Sequence, residues 1–124
     1  MKELFSQEQD WMMRQVKAIA DAIAALIFGK TNVAYQIQDE TNHTETDVTF
    51  LLLNKMLDDG DINGAEDMLF EKLNPNDTNY LLLAVDFYQR LNDKDDDELK
   101  QCGFSRDEIE DGLTEVMNIY GIKL

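Results

Sequence analysis

Apolar residues recur along this chain at steps of three and four, broken by glycines, one proline and polar clusters, which is the pattern of several short helices. Met12, Val16, Ile19, Ile23 and Leu26 alternate steps of four and three and form a narrow seam of coiled-coil type on a helix predicted over 7–28. Ser6 and Gln9 stand at capping-box spacing at its start, and Gly29 supplies its stop. Trp11, Ala18, Ala22 and Ala25 make a second, mostly small stripe beside the seam. A helix apolar over so much of its circumference is either buried centrally or shared with a second copy of itself. The seam favours a homodimer, with burial by the rest of the chain as the other reading.

From Thr31 to Thr46 the periodicity vanishes among Asn, Gln, Asp, Glu and Thr, so this stretch reads as a polar linker that docks through Tyr35 and Ile37. Thr46 or Asp47 can then cap a helix carrying Phe50, Leu51, Leu52, Leu53, Met56 and Leu57. Four consecutive bulky residues exceed one face, which predicts a helix sandwiched between two neighbours. Gly60 closes it, and Asp61 or Asn63 caps the next helix, whose Ala65, Met68, Leu69 and Leu73 share one face. Pro75 ends that helix by disfavouring helical geometry at Asn74.

A helix follows over 78–91, with Tyr80, Leu81, Leu83, Ala84, Phe87, Tyr88 and Leu91 inward and Asp86, Gln89 and Arg90 outward. The acidic run 92–98 leads into a short helix at Leu99–Gln101. Ser105 and Glu108 then form a capping box for a last helix ending at Gly121. Gly112, in the middle of that helix, weakens it by about 1 kcal/mol relative to alanine and so points to a close neighbour. The fold class is all-α with about six helices in a single helical domain, 1–124. It comprises an N-terminal helix (7–28), a polar linker (31–46) and antiparallel helical hairpins (47–121).

The corner Gly60-Asp61-Ile62 with Ala65 and Pro75 resembles a tetratricopeptide hairpin, and Leu57 to Leu91 is that family's 34-residue step. The chain departs from the pattern in its early Pro75 and in Leu53 and Lys72, where small residues are usual. Met12-Met-Arg-Gln15 with Leu26-Ile-Phe-Gly-Lys30, the corner Gly60 to Phe70, Leu73-Asn-Pro-Asn-Asp77, Asp86-Phe-Tyr-Gln-Arg-Leu91 and Phe104-Ser-Arg-Asp-Glu108 are further phrases of note. Together they resemble a family of small uncharacterised bacterial proteins known as a domain of unknown function. That resemblance implies a helical fold and a bacterial cytosolic setting, and it carries over no catalytic residue.

Charge and composition narrow the partners. A formal net charge of −15 repels phosphate backbones and anionic lipid heads, which argues against nucleic acid and membrane surfaces. The longest apolar run, Ala22 to Phe28, is far short of the roughly 20 residues a bilayer span needs. Glu3, Glu8 and Asp10 precede any such run, unlike the basic start of a signal peptide. With Cys102 as the sole cysteine, a cytoplasmic location is expected.

Candidate chemistry is sparse. Asp59-Gly-Asp61-Ile-Asn63-Gly64 fits the first six positions of a calcium-binding EF-hand loop, but Glu66 and Phe70 occupy positions that need an apolar residue and the bidentate glutamate. A capped corner is the simpler reading. His43 and Cys102 lie far apart in the chain, and no metal-ligand or phosphate-loop spacing is present, so no catalytic residue, cofactor or metal is expected. The expected function is a non-catalytic helical scaffold binding a protein or peptide, with Tyr80, Phe87 and Tyr88 lining its groove. The alternatives are a structural or regulatory homodimer through the N-terminal helix, or a divalent-cation protein through residues 59–64.

Overall fold

Gly29, Gly60, Gly121 and the Asn74-Pro75 step each mark a helix end, whereas Gly64 and Gly112 lie inside helices. A computed structural model describes residues 2–31 and 33–124, with side chains from Asp10 onward. Its elements are α1 (Lys2–Ile23) running into a π-helical turn (Ala24–Phe28), α2 (Glu45–Asp58), α3 (Ile62–Lys72), α4 (Thr78–Asn92), α5 (Asp96–Gln101) and α6 (Arg106–Tyr120). Among the described residues there is no strand.

Caps explain where the helices begin. Asp61 accepts a hydrogen bond from the Gly64 N–H at 3.0 Å and starts α3, directly after Gly60 takes the left-handed conformation (φ 80°) that turns the chain. Ser105 and Glu108 form the expected reciprocal box at α6. At α2 the cap is Thr44 and not Thr46 or Asp47. Thr44 and Asp47 stand three apart and satisfy each other's backbone N–H, so the helix begins two residues earlier than expected. α1 already runs from Lys2, which places Ser6 inside the helix and not at its start.

The core is built around α4, which packs against α1, α2 and α6, while α2 also pairs with α3 and α1 with α6. Ten of its residues, Tyr80, Leu81, Leu83–Tyr88, Leu91 and Asn92, are buried. At about 1.5–3 kcal/mol per fully buried large apolar side chain, this one helix contributes a large share of the hydrophobic stabilisation. Gly112 marks its closest approach to α6. A Cβ there would fall inside the Tyr88 ring and hydroxyl, so only glycine admits the tyrosine.

Three expectations need correction. α2 does lie against two helices, α3 and α4, but they cover one side of it, for Leu51 and Leu52 face solvent while Leu53 is buried, and the more fully enclosed helix is α4. Asp86, expected outside, is buried on α4 because the chain preceding α2 folds over it. The seam on α1 is not a free surface. Val16 and Ile23 are in the core, Met12 and Ile19 are half-buried, and Leu26 alone is exposed. Its separation from the seam follows from the π turn. The i→i+5 pattern winds the chain less per residue than α geometry, so Leu26 lags behind the face that Ile23 occupies.

Candidate functional site

Residues 33–44 do not hang free between α1 and α2. Val33 is buried, and the Tyr35 N–H donates to Asp86 Oδ1 on α4 at 3.1 Å, while the Tyr35 hydroxyl donates to Asp47 Oδ1 on α2 at 2.5 Å. The Tyr35 ring lies 4.8 Å from that of Phe50, and the Arg90 guanidinium sits over Phe50 at 5.0 Å while its Nε donates to Asp86 Oδ2 at 2.8 Å. Five side chains from three parts of the sequence are thus locked together, which fixes the linker on the body.

Protonation follows from this geometry. Hydrogen bonds from the Tyr35 hydroxyl and the Thr44 N–H hold Asp47 below the ordinary carboxylate range. Burial, reinforced by the Asp47 acceptor, pushes the Tyr35 hydroxyl up to about 12. Asp86 moves the other way from Asp47: burial raises it, and the Tyr35 N–H and Arg90 only partly offset the loss of water.

Above this network opens a cleft of about 350 Å³, bounded by Phe28, Lys30, Tyr35, Gln36, Gln38, Asp39, Asn42, Thr44, Asp47, Thr78, Asn79 and Leu82. Its wall mixes amide donors and acceptors with two carboxylates, one ammonium and two apolar side chains, a set suited to gripping a peptide backbone or polar side chains. Starting one turn on from Thr44, the outer face of α2 carries Val48, Leu51 and Leu52, which are 47%, 44% and 48% exposed. The row thus begins one turn beyond Thr44, a residue of the cleft's rim.

The aromatic residues expected to line a groove do something else. Tyr80, Phe87 and Tyr88 are 5%, 1% and 0% exposed, because α4 is surrounded, and they are core residues. The Tyr80 and Thr49 hydroxyls lie 3.3 Å apart, and the Tyr88 hydroxyl donates to Glu66 Oε2 at 2.6 Å. Burial raises the Glu66 carboxyl, an effect the Tyr88 hydrogen bond reduces, and burial together with Glu66 raises the Tyr88 phenol. At the 59–64 corner, the Asp61 carboxylate is engaged in capping α3, and among the described residues no three His, Cys, Asp or Glu gather as metal ligands. His43 Nε2 lies 3.3 Å from Glu40 just before α2, whereas the Cys102 thiol lies against Gly60 just after it. The 14 residues of α2, a rise of about 21 Å, separate these two ends.

The family model described as a family of unknown function (DUF6483) matches residues 6–121. The chain belongs to this family. No curated protein and no solved structure matches it. The DUF6483 span contains the cleft, the α2 row and the whole α4 core, so the surfaces described above lie on the family's own fold. No described helix is long and apolar enough to cross a membrane.

Sequence reading missed Asp86, Arg90 and Arg106. Arg106, nearly fully buried, donates from Nε to Asp96 at 2.9 Å and from its terminal nitrogens to the Asn92 and Lys94 carbonyls, tying α6 to the end of α4. A signal for Asp86 was present. It is an acid inside an otherwise continuous apolar stretch, Tyr80 to Tyr88, with Arg90 four residues on.

Proposed function

We propose that the protein is a non-catalytic helical scaffold of the cytosol that binds a protein or peptide segment along α2. The observation that carries this reading is the exposed row Val48, Leu51 and Leu52, three large apolar side chains on adjacent turns of a surface that is otherwise strongly acidic. A partner would set apolar side chains on the row and polar groups into the cleft at its N-terminal end. With −15 on the scaffold, basic residues flanking the partner's apolar anchors would speed the encounter. The two carboxylates of the cleft support a binding role over a catalytic one, since Asp47 is engaged by the Tyr35 hydroxyl and the Thr44 N–H, and Asp39 by Thr41.

Replacing Leu51→Asp and Leu52→Asp together tests the reading. Both sites are solvent-facing, so the circular dichroism and thermal midpoint of the variant should match those of the unaltered chain. Immobilised unaltered protein should retain a saturable protein or peptide partner that the double variant loses. Equal retention by both proteins would refute binding on this face.

A further inference from the structure

Among the described residues the face of α1 opposite the core is also uncovered, and it is a different face from the seam considered above. Trp11 and Leu26 are 57% and 74% exposed, and Ala18 and Ala25 between them face solvent as well. The π turn is what brings Leu26 into this row, by delaying its rotation toward the body. We infer that a second copy of this chain docks here, α1 against α1 in antiparallel orientation, with the two-fold axis at Ala18.

Two features select this occupant and this orientation. The first is size. Trp11 and Ala25 lie seven residues on either side of Ala18, so an antiparallel pair brings each Trp11 level with the small Ala25 at the start of the other copy's π turn, about 10 Å from the axis, with small Ala18 allowing close approach at the centre. A parallel pair would stack Trp11 on Trp11 and leave a void between the alanines.

The second is charge. One flank of the face carries Asp10, Arg14, Lys17 and Asp21, a locally neutral strip on a chain of −15. In the antiparallel pair each Arg14 comes level, within about one residue's rise, with the other copy's Asp21, giving two equivalent ion pairs. In the parallel pair the two-fold runs along the helices and sets the two charged flanks on opposite sides of the contact, so Arg14 and Asp21 find no partner across it. Within one chain Asp21 already receives the Lys17 ammonium at 2.8 Å, which fixes the carboxylate on this flank. The inference does not depend on binding along α2, because it uses no residue of that row.

Sedimentation equilibrium of the full chain across the micromolar range, with Trp11 emission followed in parallel, tests it. A mass twice the 14.3 kDa of one chain should appear with concentration, accompanied by a blue shift of the single tryptophan as Ala25 covers it. Ala18→Glu, which sets two like charges at the axis, should abolish both signals with the helical circular dichroism unchanged. Arg14→Asp should weaken association at least tenfold, and adding Asp21→Arg should restore it. A monomer at every concentration would overturn the inference. A dimer indifferent to Ala18→Glu, or to Arg14→Asp, would also overturn it.

Discussion

Two nearly identical phrases, Phe50-Leu-Leu-Leu53 and Tyr80-Leu-Leu-Leu83, meet opposite fates. Both begin with an aromatic residue, both lie in the first turns of a helix, and both have a threonine upstream within four residues. In α4 three of the four are buried and the fourth is half-buried; in α2 only Leu53 is buried, and Leu51 and Leu52 face water. The difference lies in the neighbours. α4 packs extensively against three helices, whereas among the described residues α2 packs extensively against two, α3 and α4. An apolar run thus states that a helix has more than one face to cover, and the packing decides whether anything in the chain covers it. On the outer face of α2 none of the described residues does, which is why that surplus is the basis of the proposed function.

The largest effect should come from truncating one leucine in each phrase. Leu81→Ala should cost about 2–5 kcal/mol of folding stability, as for a buried leucine whose site cannot collapse. Leu52→Ala should stay within about 0.5 kcal/mol, as for surface substitutions generally. Urea denaturation of both variants measures the contrast. Equal losses would mean that α2's outer face is covered in the folded protein, and the comparison would break.

Gly112→Ala sharpens the α4 side. Alanine adds about 1 kcal/mol of helix propensity, but its methyl group would enter the space of the Tyr88 ring, which is fully buried and hydrogen-bonded to Glu66. Overpacking of this kind costs typically 1–3 kcal/mol, so the net effect should be a moderate loss. In a Tyr88→Ala background the same change should become stabilising, since the methyl then has room. A double-mutant cycle reads the coupling directly, and additive losses would mean that the ring does not occupy that space.

How far the fold was legible follows from the range over which each signal acts. Helix ends are set by residues within three or four positions, so the Ser105–Glu108 box, the Gly60–Asp61 corner and the stop at Asn74–Pro75 were readable, as was the demand of Gly112 for a close neighbour. Faces are set by distant chain. Asp86 is buried because Tyr35, 51 residues earlier, lies across it, and the apolar flanks of α4 gave no hint of that partner. The seam on α1 was read with uniform α geometry, which the π turn breaks at its last member, Leu26. For the candidate site even less was legible. Aromatic residues on α4 attracted attention as a groove, but Tyr80, Phe87 and Tyr88 serve the core, and the exposed apolar row came from leucines that a sandwiched helix would have hidden.

The smallest expected effect is in pH dependence, and it again sets α4 against α2. The acids packed on α4 carry raised pKa values: Asp86 is raised by burial, and so is Glu66 beneath Tyr88. Each holds a proton more tightly folded than unfolded, so lowering the pH from 7 through their folded values should raise stability. The acid on α2 behaves in reverse. Asp47 is lowered by the Tyr35 hydroxyl and the Thr44 N–H, so its contribution is present above the ordinary value of 3.8 and is lost as pH falls through its lower folded value. Stability should therefore rise on mild acidification and fall at lower pH, as thermal midpoints across the range would show. Asp86→Asn and Glu66→Gln should flatten the rise while leaving the acid limb, and Asp47→Asn should shrink the acid limb, to which Asp39, lowered by its Thr41 hydrogen bonds, also contributes, while leaving the rise. A mild-acid rise that survives both α4-side substitutions would assign it to relief of the overall −15 charge, and burial at α4 would then have no visible part in it.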